Sequence, residues 1–328
     1  MPGMQSGTGS RREAITIQLW ARWVAGLLGL AGVGSGGVAV FVTRVEAGPV
    51  ALIAGGVLFV FMSLSGVMPT RVKIGDAEAE WQREVEESVE RIERKVPEVG
   101  AVLDSGGASL EAILSGKAPE PGPDLMRAGV QVGSLAEDVR VLEEKAGRDT
   151  VPADALLEIG RWYLAQQEWA EGARYLDAYV NRAEADWETY FALGVANANR
   201  REGERTDRAA LRAYDEAMMR LPPDPPVDLT ARLYSHRSGM KKRLGRLREA
   251  KADAEIAKQL AQNRHEQIDA TYNLACIEAM LGHRDAALLH VAELSRLGSG
   301  GLVRGHLDDY FSSLRDDPEF QRLVSMPN

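Results

Sequence analysis

Cysteine is almost missing: Cys276 stands alone in 328 residues. That excludes a disulfide within the chain and a cysteine-rich zinc site, and it fits a reducing compartment. Aromatic residues make up only 6% of the chain, while Ala, Gly, Leu and Arg abound. Such a composition suits helices packed closely through small residues rather than a large sheet. Positive charge is also short, with 39 Lys and Arg against 48 Asp and Glu, leaving a net charge of −9. The average surface therefore offers no general attraction for nucleic acid, which is not expected as a partner.

Signatures of chemistry are missing too. His283 and His290 lie seven positions apart, not at the spacing of a helix-borne metal site, and there is no cysteine pair to help. "HEQID" from residue 265 is not a zincin motif, and no serine elbow, phosphate loop or kinase signature is found. Asp316 and Asp317 read as helix-start residues. No catalytic residue, metal or cofactor is expected, and the chain is not expected to be an enzyme.

What is present begins with two long apolar runs. Residues 23–43 and 47–70 carry no charge, and each is long enough for a helix of roughly 20 residues to cross a bilayer. Only Arg44, Val45 and Glu46 separate them, so a transmembrane hairpin contacting the lipid bilayer is expected. Arg11, Arg12 and Arg22 precede the first span, and Arg71 and Lys73 follow the second. This bias predicts both termini in the cytoplasm, with residues 1–22 a cytoplasmic tail. Trp20, Arg22 and Trp23 would anchor the interface. Gly32 with Gly36, and Ala51 with Gly55, form small-residue faces for packing between the spans. Composition suggests a bacterial inner membrane.

Beyond the spans, Trp81, Val85, Val89, Ile92 and Val96 recur at helical spacing. They predict an acidic juxtamembrane helix over 76–98, closed by Pro97. Residues 99–124, with Pro119, Pro121 and Pro123, read as a linker holding at most a brief helix. Leu125, Ala128, Val132, Leu135, Val139 and Leu142 then mark a helix over 125–149 that caps the following domain.

From residue 150 a period becomes visible. Leu156, Ile159 and Gly160 reappear as Tyr190, Leu193 and Gly194, each 34 positions later, the spacing of a helix-turn-helix array. Gly160 and Gly172 each cost a helix about 1 kcal/mol relative to alanine, which implies that two backbones meet there. A later small residue, Ala210, points to an insertion of about four residues in "REGERTDR" that should lengthen the turn between helices. Tyr234, Ser238, Gly245, Ala250, Ala254 and Ala257 mark a third unit; Leu274, Ala275, Gly282, Ala287, Val291 and Leu294 mark a fourth. "HLDDYFSSLRDDPEFQRLV" reads as a closing segment, with a helix starting near Asp317 and Pro318.

This pattern resembles the tetratricopeptide repeat, in Leu156, Ile159, Gly160 and Tyr163 on a first helix and Gly172, Tyr175 or Leu176, and Tyr179 on a second. The resemblance implies an all-α chain: a two-helix membrane hairpin, a juxtamembrane helix and a repeat solenoid over 150–328. It further implies that first helices hold a protein or peptide on a groove, pointing to Arg161, Asn199, Arg232, Lys242, Arg243 and Tyr272. The third unit is rich in base, with Arg237, Lys241, Lys242, Arg243, Arg246, Arg248 and Lys251, so an acidic peptide is a candidate ligand. The expected function is a membrane-anchored scaffold. The other readings are an effector whose hairpin oligomerises in the bilayer, and an exported scaffold for envelope assembly, since "SRREAI" resembles the start of a twin-arginine signal. The sequence leaves the oligomeric state open.

Overall fold

The computed structural model describes residues 74–116, 123–306 and 309–325. The expected spans, with Gly32, Gly36, Ala51, Gly55, Trp20, Arg22 and Trp23, lie outside them. Among the described residues every regular element is a helix, and no helix is long and apolar enough to cross a membrane. The chain divides into two units, residues 1–89 with 141–150, and residues 90–140 with 151–328.

In the first unit, Glu84 is paired with Lys145, whose ammonium holds the carboxyl below the usual carboxylate range. Leu142 is buried. In the second unit, α1 (Ile74–Ser105) brings in its C-terminal part. The helix does not stop at Pro97 as the sequence suggests, because Ile92, Val99 and Leu103 continue one buried stripe past it while Pro97 faces solvent. Burying Val99 and Leu103, at roughly 1.5–3 kcal/mol each, offsets the lost hydrogen bond of the proline.

The expected linker is likewise folded into the second unit. Residues 106–109 lead into the short α2 (Leu110–Leu114), where the Ser109 hydroxyl accepts from the Ala112 amide at 3.2 Å. Ala108 and Leu114 are buried. Then α3 (Pro123–Ala146) carries the predicted stripe, with Ala128, Val132, Leu135 and Val139 buried. Asp138 of α3 accepts from Lys95 of α1 at 2.5 Å, and Gly129 lies close under the Trp162 ring, where a side-chain carbon would sit 3.1 Å from the ring edge.

Four helix hairpins follow: α4 (Ala153–Ala165) with α5 (Trp169–Val180), α6 (Trp187–Arg200) with α7 (Glu204–Met219), α8 (Val227–Arg243) with α9 (Leu247–Leu260), and α10 (Arg264–Met280) with α11 (Arg284–Arg296). Each second helix packs on the next first helix, and α8 packs on both α6 and α10. The glycines set the approach. A side-chain carbon on Gly160 would sit 2.9 Å from Leu176 Cδ2, and one on Gly172 would sit 2.7 Å from Leu164 Cδ2. Gly194 leaves the same notch for the Tyr214 ring.

Every hairpin turn has three residues, 166–168, 201–203, 244–246 and 281–283. The predicted long turn is therefore not found. The insertion is absorbed in α7, which has 16 residues where α5 has 12. Four residues are about one helical turn, so Ala210 and Tyr214 return to the same face. Gly245 and Gly282 take left-handed backbone in their turns, φ 74° and 76°, where Gln167 (60°) and Arg201 (52°) do so without the freedom of glycine.

The array closes with α12 (Gly300–Gly305) and α13 (Pro318–Ser325). Asp317 accepts from the amides of Glu319 and Phe320 at 2.9 and 3.1 Å, starting α13 as the sequence suggests. Phe311 and Phe320 meet at 5.6 Å over Val291 and Leu294.

Candidate functional site

The first helices α4, α6, α8 and α10 carry all six residues picked out for the groove. Only Lys242 and Tyr272 come together. Lys242 is 4% exposed, donates to Asn273 Oδ1 at 3.0 Å, and lies 5.0 Å from the Tyr272 ring centroid and 4.5 Å from that of Tyr310. Asn273 in turn donates to the Ser235 carbonyl at 3.1 Å, tying α10 to α8. Burial pushes the Lys242 ammonium down and the neighbouring Cys276 thiol up, so each is drawn toward its neutral form.

Of the other candidates, Arg243, Arg161 and Asn199 are engaged within the fold. Arg243 pairs with Asp207 at 2.5 Å and donates to the Ala198 carbonyl at 3.3 Å. Arg161 is buried, bonded to Glu158 at 2.9 and 3.1 Å, to Asp104, and to the Ala108 carbonyl at 3.3 Å. Asn199 is half-buried and donates to the Val195 carbonyl of its own helix at 2.9 Å. Arg232 is half-buried; its Nε is enclosed and has no hydrogen-bond partner.

The basic third unit has the same character. Arg237 grips Asp253 with two bonds of 2.7 and 2.8 Å, and Lys241 reaches the same carboxylate at 2.7 Å. Lys251 pairs with Glu278 at 2.8 Å, and Arg246 with Glu249 at 2.6 Å. Three buried carboxylates, Asp207, Asp253 and Glu278, thus engage Arg243, Arg237, Lys241 and Lys251, four of the seven cations that suggested an acidic ligand. Composition alone counts a base run without partners such as Asp253, 12 and 16 positions from the cations it binds.

The brief helix that the sequence allowed within the linker lies on the first-helix face, a placement that sequence reading missed. Leu110 and Ile113 of α2 pack half-buried against the cluster of Leu114, Trp187, Phe191, Leu193, Leu229 and Leu233. α2 touches α6 and α4, and the Arg232 guanidinium of α8 closes on Gly116 just beyond it. Asp104 and the Ala108 carbonyl, held by Arg161, fix its entry. Burial, together with the like charges of Asp186 and Glu111, raises the Glu188 carboxyl. The available signal was the L-x-x-I-L spacing inside a stretch otherwise read as linker.

His236 of α8 lies among aromatic rings, 5.6 Å from Phe191 and 6.0 Å from Tyr214. Burial, with Arg232 and His265 adding positive charge, pushes its imidazole down to about 4. Among the described residues no group of His, Cys, Asp and Glu is arranged to hold a metal ion. No protein-family model matches the chain, and no curated protein matches it in sequence.

Proposed function

We propose that this protein is a membrane-anchored scaffold of the tetratricopeptide type, which presents the faces of α4, α6, α8 and α10 to a protein or peptide partner at the cytoplasmic side. The observation that carries the reading is the binding of α2: a short helix in the same chain already lies against the first helices α4 and α6, with Arg232 of α8 closing on Gly116 just beyond it. A surface that seats one helical segment has the shape and apolar character to seat another. The glycine notches at 160, 172 and 194 and the three-residue turns are what a stacked hairpin array requires. Anchoring rests on the two uncharged runs before residue 71.

A photo-crosslinking amino acid placed at Asn199 or Tyr272 tests the partner face, with exposed Ala252 on α9 as the control. A discrete protein adduct from the first two positions and none from the third is expected. Equal adducts from all three would overturn the assignment of the face. Reporter fusions at the C-terminus, one active only in the cytoplasm and one only outside, test orientation; activity of the external reporter would reverse it.

A further inference from the structure

We infer that the partner of the α4, α6 and α8 face is a short amphipathic helix with Leu or Ile at positions i, i+3 and i+4, and that it binds by displacing the chain's own α2. The inference rests on the scaffold reading and adds the chemistry of the ligand.

The contacts of α2 define what the face accepts. Leu110, Ile113 and Leu114 supply the three apolar anchors, and Ser109 supplies the cap that lets so short a segment be helical. Five residues are far below the length at which a helix is stable by itself. Its helical form therefore depends on the face, and leaving the face and unwinding are one event.

Two features show that α2 fills the site imperfectly. Its exposed Glu111 adds negative charge near the part-buried Glu188 of α6, which Asp186 at the start of that helix already crowds. At the other end Arg232 meets Gly116, which has no side chain to offer and whose φ is 69°, and the enclosed Nε of Arg232 goes without an acceptor. A buried donor left unmet is unfavourable. A ligand with a neutral or basic residue after its first Leu removes the first defect. A carboxylate or carbonyl one turn beyond its last Leu removes the second.

Fluorescein-labelled peptides of residues 104–116, native and with Glu111→Lys, read the face directly in the full-length protein. The host is compared with its Leu110→Ala/Ile113→Ala variant, which weakens α2 in place without adding charge. The native peptide is expected to bind the variant at least tenfold tighter than the wild type, and the E111K peptide to bind tighter than the native one. A folded variant that binds either peptide no better than the wild type would overturn the inference.

Hydrogen exchange on the wild type gives a second readout should the variant fail to fold. Excess E111K peptide should speed exchange at residues 110–114; unchanged exchange there would also overturn it. Peptides that fail while Asn199 and Tyr272 still capture a protein sink this inference alone. Peptides that bind while those positions capture nothing sink the scaffold reading alone.

Discussion

At Gly172 the Leu164 side chain occupies the place of a Cβ, and at Gly282 the backbone has a φ of 76°. Gly172→Leu should cost about 1–3 kcal/mol through overpacking, seen as a lower thermal midpoint. Gln167 already holds the left-handed conformation that glycine holds at Gly245 and Gly282. Gln167→Gly should therefore stabilise the fold by about 1 kcal/mol and raise the midpoint; a drop would mean that the Gln167 side chain contributes contacts of its own. His236 gives a pH signature. Its folded pKa of about 4 lies below the ordinary 6.5, so the unfolded chain binds the extra proton between those values. The stability of the neutral, buried ring is complete above about 6.5 and is lost as pH falls toward about 4. His236→Phe should flatten the stability profile in that window, and an unchanged profile would show that the ring is hydrated. The packing role of Gly160 and Gly172 was legible in the sequence because each interrupts a helical pattern between large residues. Asn273 and Asp253 were not, since their partners Lys242 and Arg237 lie on another helix.

Among the elements, α1 makes the sharpest test, because a proline lies inside it. Pro97→Ala should stabilise the protein, by up to about 3 kcal/mol, if the helix is continuous through that position. No gain would mean a break at residue 97. The start of α10 is fixed by Asn263, which accepts from the Glu266 amide at 3.1 Å while the Glu266 carboxylate accepts from the Gln262 amide at 2.8 Å. Asn263→Ala should cost about 1 kcal/mol, measurable in urea unfolding. Helix pairs were legible from the 34-residue period, as was the start of α13 from Asp317 and Pro318. Two element boundaries were misjudged for one physical reason. Pro97 was read as a helix end and the polar residues 201–208 as a lengthened turn, but tertiary burial on their flanks kept residues 98–105 and 204–208 helical.

For the whole molecule, nearest-neighbour packing of hairpins implies that damage at an end spreads inward step by step. Removing residues 312–325 would uncover Val291 and Leu294 and take away Phe320. Hydrogen exchange should then quicken first in α10 and α11 and least in α4 and α5. Uniform quickening would show a single cooperative block instead. The period disclosed the array as a whole, but it could not disclose that residues outside the array lie on it, because α2 belongs to no repeat.

The attachment of α2 also sets a threshold. Only residues 106–109 join it to α1, and a segment held on so short a leash stands at an effective concentration on the order of millimolar. A free helix of equal intrinsic affinity would have to be as abundant as that to take its place half the time. Scarce or weakly matched helices are thereby filtered out. A helix gains entry only by a better fit to the face than Leu110, Ile113 and Leu114 provide.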